Sequence, residues 1–149
     1  MKTPALASGA SVSGQVQGSC VSHINSMPKQ IFIENQNRIS ESPPRIKYCD
    51  TFLTQLRGFT FRPRLARDEG LLLVGTRDSR LDSSIHMLFV AFDLTVIWIN
   101  SEMKVVDKII AKSWRPAYFS KKPARYVLEI HPERWGDYEI GDTVQFKDA

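Results

Sequence analysis

The chain has 149 residues, of which 42% are hydrophobic and 24% charged, with a net charge of +4. That length is one domain with enough chain to bury its own core, and the composition excludes collagen-like, disulfide-scaffold and low-complexity classes. The charge excess is thin: Lys2 and Lys29 stand without an acid in the first 29 residues, which leaves 18 basic against 16 acidic residues in the remainder.

Residues 1–29 are rich in Ser and Gly, have no apolar period and read as a disordered extension. They lack the apolar segment of a secretory signal. Met27 followed by Pro28 reads as the natural start, with residues 1–26 added by an over-long gene prediction. The folded domain is then expected over residues 30–149.

Short strands follow. Ile31 to Glu34 is the first, and Arg45 to Tyr48 the second, after the Ser42-Pro43-Pro44 break. Asp50 reads as a helix N-cap and Gly58 as its C-terminal cap, with Phe52, Leu53 and Leu56 at helical spacing, so a short helix is predicted over 51–57. Leu71 to Val74, between Gly70 and Gly75, suits a buried strand. Ile85 to Val90 and Leu94 to Ile99 are two more. In the latter, Leu94, Val96 and Trp98 face one way and Thr95, Ile97 and Ile99 the other, so both faces are apolar. Asn100-Ser101-Glu102 turns the chain into a hairpin partner, Met103 to Ile110. In Ala124 to Ile130, Tyr126, Leu128 and Ile130 share one face, while Arg125, Val127 and Glu129 share a second, expected to be partly wet. Ile140-Gly141-Asp142 turns into Thr143 to Phe146, with Val144 and Phe146 inward. The fold class is all-β: a compact sandwich or barrel with one or two short helices.

The ordered set of elements resembles a known family. Arg57-Gly58-Phe59-Thr60-Phe61-Arg62 is similar to an R-G-L-x-x-R element after a short helix. Gly70-Leu71-Leu72-Leu73, Ser84-Ile85-His86-Met87-Leu88-Phe89 and Phe92 to Ile99 follow, then Val105-Val106, Tyr126-Val127-Leu128-Glu129 and Ile140-Gly141-Asp142-Thr143-Val144. Over about residues 31–147 this order resembles the domain of unknown function 192 family, a bacterial and archaeal group. The resemblance implies a mainly β, sandwich-like fold and supplies no mechanism. The chain departs from the family at Phe59-Thr60, where Leu-Met or Leu-Leu is usual, and from those members that carry secretory leaders.

Little of the sequence carries explicit chemistry. No G-x-G-x-x-G, P-loop, G-x-S-x-G or H-E-x-x-H pattern occurs, which weighs against nucleotide-dependent and common hydrolytic reactions. Cys20 and Cys49 read as two thiols in a reducing cytoplasm, without zinc-ligand spacing, so no metal and no cofactor are expected. Ile85 to Ile99 is the most apolar stretch, too short to cross a bilayer and interrupted by His86 and Asp93. A soluble, cytoplasmic protein without membrane association is expected.

The candidate ligand-binding residues are Arg57, Arg62, His86 and Glu129. His86, inside an apolar strand, can contact a ligand or move a proton, or it can be structural and donate to a backbone carbonyl. Arg57 and Arg62 can form a fork for a carboxylate or phosphate, or pair with Asp68, Glu69 or Glu129. Glu129 would need burial to act as a base, and otherwise forms a cross-strand ion pair. Trp98 reads as core. Trp114 and Trp135 are candidates for an aromatic surface facing a sugar or peptide, or for a lid over the sheet edge. Asp142 reads as a turn residue.

Two functions compete: a non-catalytic module binding a small ligand or protein partner, and an enzyme using His86 with a carboxylate brought close by folding. Nucleic-acid binding ranks below both. Basic residues do cluster at Arg57, Arg62, Arg64 and Arg67, and at Lys112, Arg115, Lys121, Lys122 and Arg125, but apolar residues interrupt them as on a solvated surface.

Overall fold

In a computed structural model of the chain, residues 29–50 and 59–149 are described. They are mainly β. Seven strands form one sheet: β1 (Gln30–Asn35), β2 (Arg45–Cys49), β3 (Glu69–Ser79), β4 (Leu94–Ile99), β5 (Val105–Ala111), β6 (Ala124–Ile130) and β7 (Val144–Asp148). Their spatial order is β5-β4-β6-β3-β2-β1-β7. A 3-10 helix, Pro132–Asp137, separates β6 from β7. The helix predicted over 51–57, Arg57 and Cys20 lie outside the described residues.

All neighbours in the sheet are antiparallel except β2 and β3, which run parallel from Arg45↔Glu69 to Cys49↔Leu73. The sheet curls. At one end its two edges meet through a bridge between Lys104 and Thr143. There the Val105 amide donates to the Asp142 carbonyl at 2.9 Å and the Gly141 amide to the Val105 carbonyl at 2.8 Å. The edge strands of an open sheet are thereby tied to each other over that short stretch, which reduces the exposed pairing edge.

A curled sheet has an inside and an outside, and here both are covered. Ile31, Ile33, Ile46, Leu72, Ile97, Ile99, Leu128, Ile130 and Val144 fill the concave side. Tyr138 closes it, its hydroxyl donating to the Ile33 carbonyl at 2.8 Å. On the convex side Leu71, Leu94, Val96, Trp98 and Val127 pack under Phe59, Leu65, Ile85, Met87 and Val90 from the connecting segments. The two cores are therefore the two faces of one sheet, and all six β4 positions are buried with the alternation read from the sequence. Gly70 sits where the inner face is tightest: a Cβ there would collide with Ile46 Cδ1 and lie 2.9 Å from Ile130 Cγ2.

Four sequence readings change. Ile85 to Val90 is not a strand. Only Ile85 bridges, to Tyr118, and the segment then turns through Phe89 at φ 61°. Ile85, Met87 and Val90 are buried because they press onto the convex face, not because they belong to a ladder. β3 continues through Gly75 to Ser79, with an irregular register beyond Val74. Met103 belongs to the turn, at φ 62°, so the returning strand starts at Val105. Trp135, read as part of an aromatic surface or a lid over the sheet edge, lies on the 3-10 helix.

Candidate functional site

The segment 80–93 lies over the convex face and is anchored at several points. The Trp98 indole N–H donates to the Ser83 carbonyl at 2.8 Å, and the Ser83 hydroxyl to the Ser79 carbonyl at 2.5 Å. The Met87 amide donates to the Arg115 carbonyl, and the Trp114 amide to the Met87 carbonyl. Between this overlay and the sheet lies a cavity of about 170 Å³. Leu71, Leu73, Val127, Met87, Val90 and Phe59 give it apolar walls, and Asp82, Ser84, His86, Arg125 and Glu129 supply its polar groups.

Glu129 holds the central place. On β6 it stands opposite Leu71 of β3 and Val96 of β4, so hydrocarbon flanks it on both sides. It is 7% exposed. Burial pushes its carboxyl from an ordinary 4.5 up to about 7. Among the described residues no hydrogen bond or ion pair reaches the carboxyl, so the expected cross-strand ion pair on a partly wet face is replaced by an unpaired acid on a largely covered one. The reason is tertiary: the 80–93 segment covers the face that alternation alone assigned to solvent.

Arg125, four residues away on the same face of β6, does not pair with it. Its Nε donates to the Gly75 carbonyl at 3.1 Å and its guanidinium lies 5.3 Å from the centre of the Tyr126 ring. Gly75 also lets the two backbones lie close together, since a Cβ there would come within 2.9 Å of the Arg125 carbonyl oxygen.

The other sequence candidates divide. His86 lines the same cavity as Glu129 and is exposed, so it is neither a strand residue nor buried against backbone. Arg62 lies at the surface in an ion pair with Glu69 at 3.0 Å, the alternative to an anion-binding fork. The basic clusters are partly neutralised in the same way: Arg67 pairs with Glu133 and Lys112 with Asp93. Cys49 is a buried thiol of the convex core. Asp142 does more than turn the chain. It accepts from Asn35 Nδ2 at 2.7 Å, Arg38 Nε at 3.0 Å and the Glu139 amide at 2.8 Å, tying β1 to the turn before β7. Burial opposes ionisation there, but these hydrogen bonds outweigh it and hold the carboxyl below its usual range.

Trp114 and Trp135 do not form one surface. Trp135 packs under Lys108, whose ammonium lies 4.0 Å from the ring centre. Trp114 meets Phe89 edge-on at 5.5 Å, and Phe89 meets Phe61 at 5.1 Å. All three rings of this second group are at least half exposed or nearly so, at 57%, 49% and 79%. Each sits at positive φ, 64°, 61° and 63°. Bulky residues rarely adopt that conformation. Phe61 and Phe89 adjoin Thr60 and Val90 of the cavity wall. The sequence offered Asp82 and Ser84 no particular weight; only the folding of 80–93 onto β6 brings them to the cavity that holds Glu129.

A single curled β-sheet with a covered convex face and an acid-floored cavity defines the class structurally. The chain belongs to the uncharacterised conserved family DUF192, whose sequence profile matches residues 31–146. It is 39% identical over 104 residues to a UPF0127 protein of Thermococcus kodakarensis, a match covering 68% of this chain and 64% of that one. The match thus spans less than two thirds of that relative's length. Among solved structures, a protein of unknown function from Novosphingobium aromaticivorans superposes with a TM-score of 0.64 at 20% identity, covering 78% of this chain and 83% of that one. A Sinorhizobium meliloti protein described as a candidate transcription regulator does so with a TM-score of 0.68 at 17% identity, covering 80% and 94%. These two likenesses establish the fold. Among the described residues, no helix is long and apolar enough to cross a membrane.

Proposed function

We propose that this domain is a small-ligand-binding module whose site is the cavity between β3, β4 and β6 and the 80–93 segment. One observation carries the reading: Glu129, an acid with no partner among the described residues, lies at 7% exposure in the cavity, flanked on its own sheet by Leu71 and Val96. An isolated buried carboxyl costs stability unless something pairs with it, and a protein that keeps one in a cavity gains from it when a ligand supplies the partner. The size agrees, because cavities of about 150 Å³ accept a benzene-sized molecule. His86 on the rim is placed to contact the ligand's outer end. Arg62 takes no part in this proposal, because it is already paired with Glu69.

A thermal-shift screen against metabolites tests it, since any ligand of the native state raises the melting temperature. Hits should weaken at least about tenfold in Glu129→Gln, as expected when a charge-assisted hydrogen bond is lost. They should be untouched in Trp135→Ala, on the 3-10 helix. Hits that survive Glu129→Gln but vanish in Trp135→Ala would overturn the assignment.

A further inference from the structure

We infer that the ligand is a small primary amine on an apolar body, with its ammonium group seated on the Glu129 carboxylate; this rests on the ligand-binding reading above. Three observations lead to it. First, among the described residues the cations Arg125 and Arg62 are committed elsewhere. Arg125 is the nearest in sequence and shares the face of Glu129, yet it bonds to the Gly75 carbonyl and covers Tyr126. Arg62 is held by Glu69. Second, the remaining charge on the cavity lining is acidic as well. Asp82 lies on the rim, only loosely attached to Arg77 at 3.4 Å, with both side chains half exposed or more. An anionic ligand would meet two carboxylates. Third, Leu71, Leu73, Val127 and Val90 offer the rest of the ligand only hydrocarbon.

Charge decides between an amine and a neutral donor. A hydroxyl would satisfy one oxygen of Glu129 but leave its charge buried. An ammonium group satisfies both, and a charge pair in a poorly hydrated pocket is stronger than one at the surface. Removing the cation strands the carboxylate, which is the costly arrangement. Among the described residues, the other charged or titratable groups lining its cavity are His86 and Asp82 on the covering segment and Arg125 on β6, so any pH dependence must be separated from theirs.

Three probes of nearly one shape test the assignment: cyclohexylamine, cyclohexanol and cyclohexanecarboxylate, titrated calorimetrically at pH 8. The amine should bind at least about tenfold more tightly than the alcohol, and the carboxylate should not bind, in line with a charge-assisted against a neutral contact. Glu129→Gln should bring the amine down to the level of the alcohol. Lowering the pH from 8 to 6 protonates Glu129, so amine affinity should fall about tenfold while the alcohol stays level. The same fall in a His86→Gln background assigns it to Glu129 rather than to the rim imidazole. An alcohol that binds as well as the amine would overturn the ammonium assignment and leave the pocket standing. If none of the three binds at millimolar concentration, the pocket itself fails, and the ammonium assignment with it.

Discussion

Replacing Glu129 by Gln should make the protein more stable above neutral pH and leave it nearly unchanged below pH 5. The folded state raises this carboxyl from 4.5 to about 7. Between those values the folded chain holds a proton that the unfolded chain has released. Stability therefore falls as pH rises through this window and is flat on either side of it. Each pH step costs about 1.4 kcal/mol, so the buried carboxylate subtracts about 3 kcal/mol by pH 8. Its position supports a value of this size, since Leu71 and Val96 stand directly opposite on the flanking strands and Glu129 is 7% exposed. Gln keeps the shape and cannot ionise. Urea unfolding at pH 5, 6, 7 and 8 should show the variant gaining steadily on the parent. Acids that are stabilised in the fold, such as Asp142, titrate at lower pH and cancel in the difference. Parallel stability curves would show that Glu129 is solvated or paired in solution, and the cavity argument would lose its foundation.

Other outcomes follow from the fold. Gly70→Ala should destabilise by about 1–3 kcal/mol in chemical denaturation, the usual cost of overpacking, because Ile46 and Ile130 leave no room for a Cβ. Asp142→Ala should cost about 2–3 kcal/mol, since Asn35, Arg38 and the Glu139 amide all lose a charged acceptor at the join of the sheet edges. Because the Asp142 carboxyl is held below its ordinary range, the stability it contributes is present at neutral pH and is lost as the solution is acidified through that lower value; Asp142→Asn should flatten the acid limb of the curve. Trp98→Phe removes the indole bond to the Ser83 carbonyl, and limited proteolysis should then cut within 80–93 several-fold faster while β4 stays protected. His86→Ala, at an exposed position, should change stability by less than about 0.5 kcal/mol, so any loss of ligand in that variant reports contact rather than folding.

Much of the ladder was legible from residue order. Alternation in Leu94 to Ile99 and Ala124 to Ile130 assigned each side chain to a correct face, because the period of two is a property of the extended backbone itself. Gly141 and Asp142 marked a turn for equally local reasons, Gly141 sitting at φ 96°. The same local logic failed at Ile85 to Val90. An apolar run looks alike whether it is hydrogen-bonded in a sheet or laid across one, and only long-range bonds to 114–118 decide between them. The parallel pairing of β2 with β3 was equally out of reach, since nothing in either strand names a partner beyond the next turn.

The candidate site follows the same division. The sequence by itself determined that Arg125, Val127 and Glu129 share one side of a strand, and that His86 and Ser83 lie in one apolar neighbourhood. It could not say which side would be dry. That depended on whether another segment covers β6, a contact between residues some forty positions apart in the chain. Burial, and with it the altered acidity of Glu129, is a property of the surroundings rather than of the residue. The tertiary structure turned a presumed surface ion pair into an unpaired acid in a cavity, and settled the two readings of Arg62 in favour of its ion pair with Glu69.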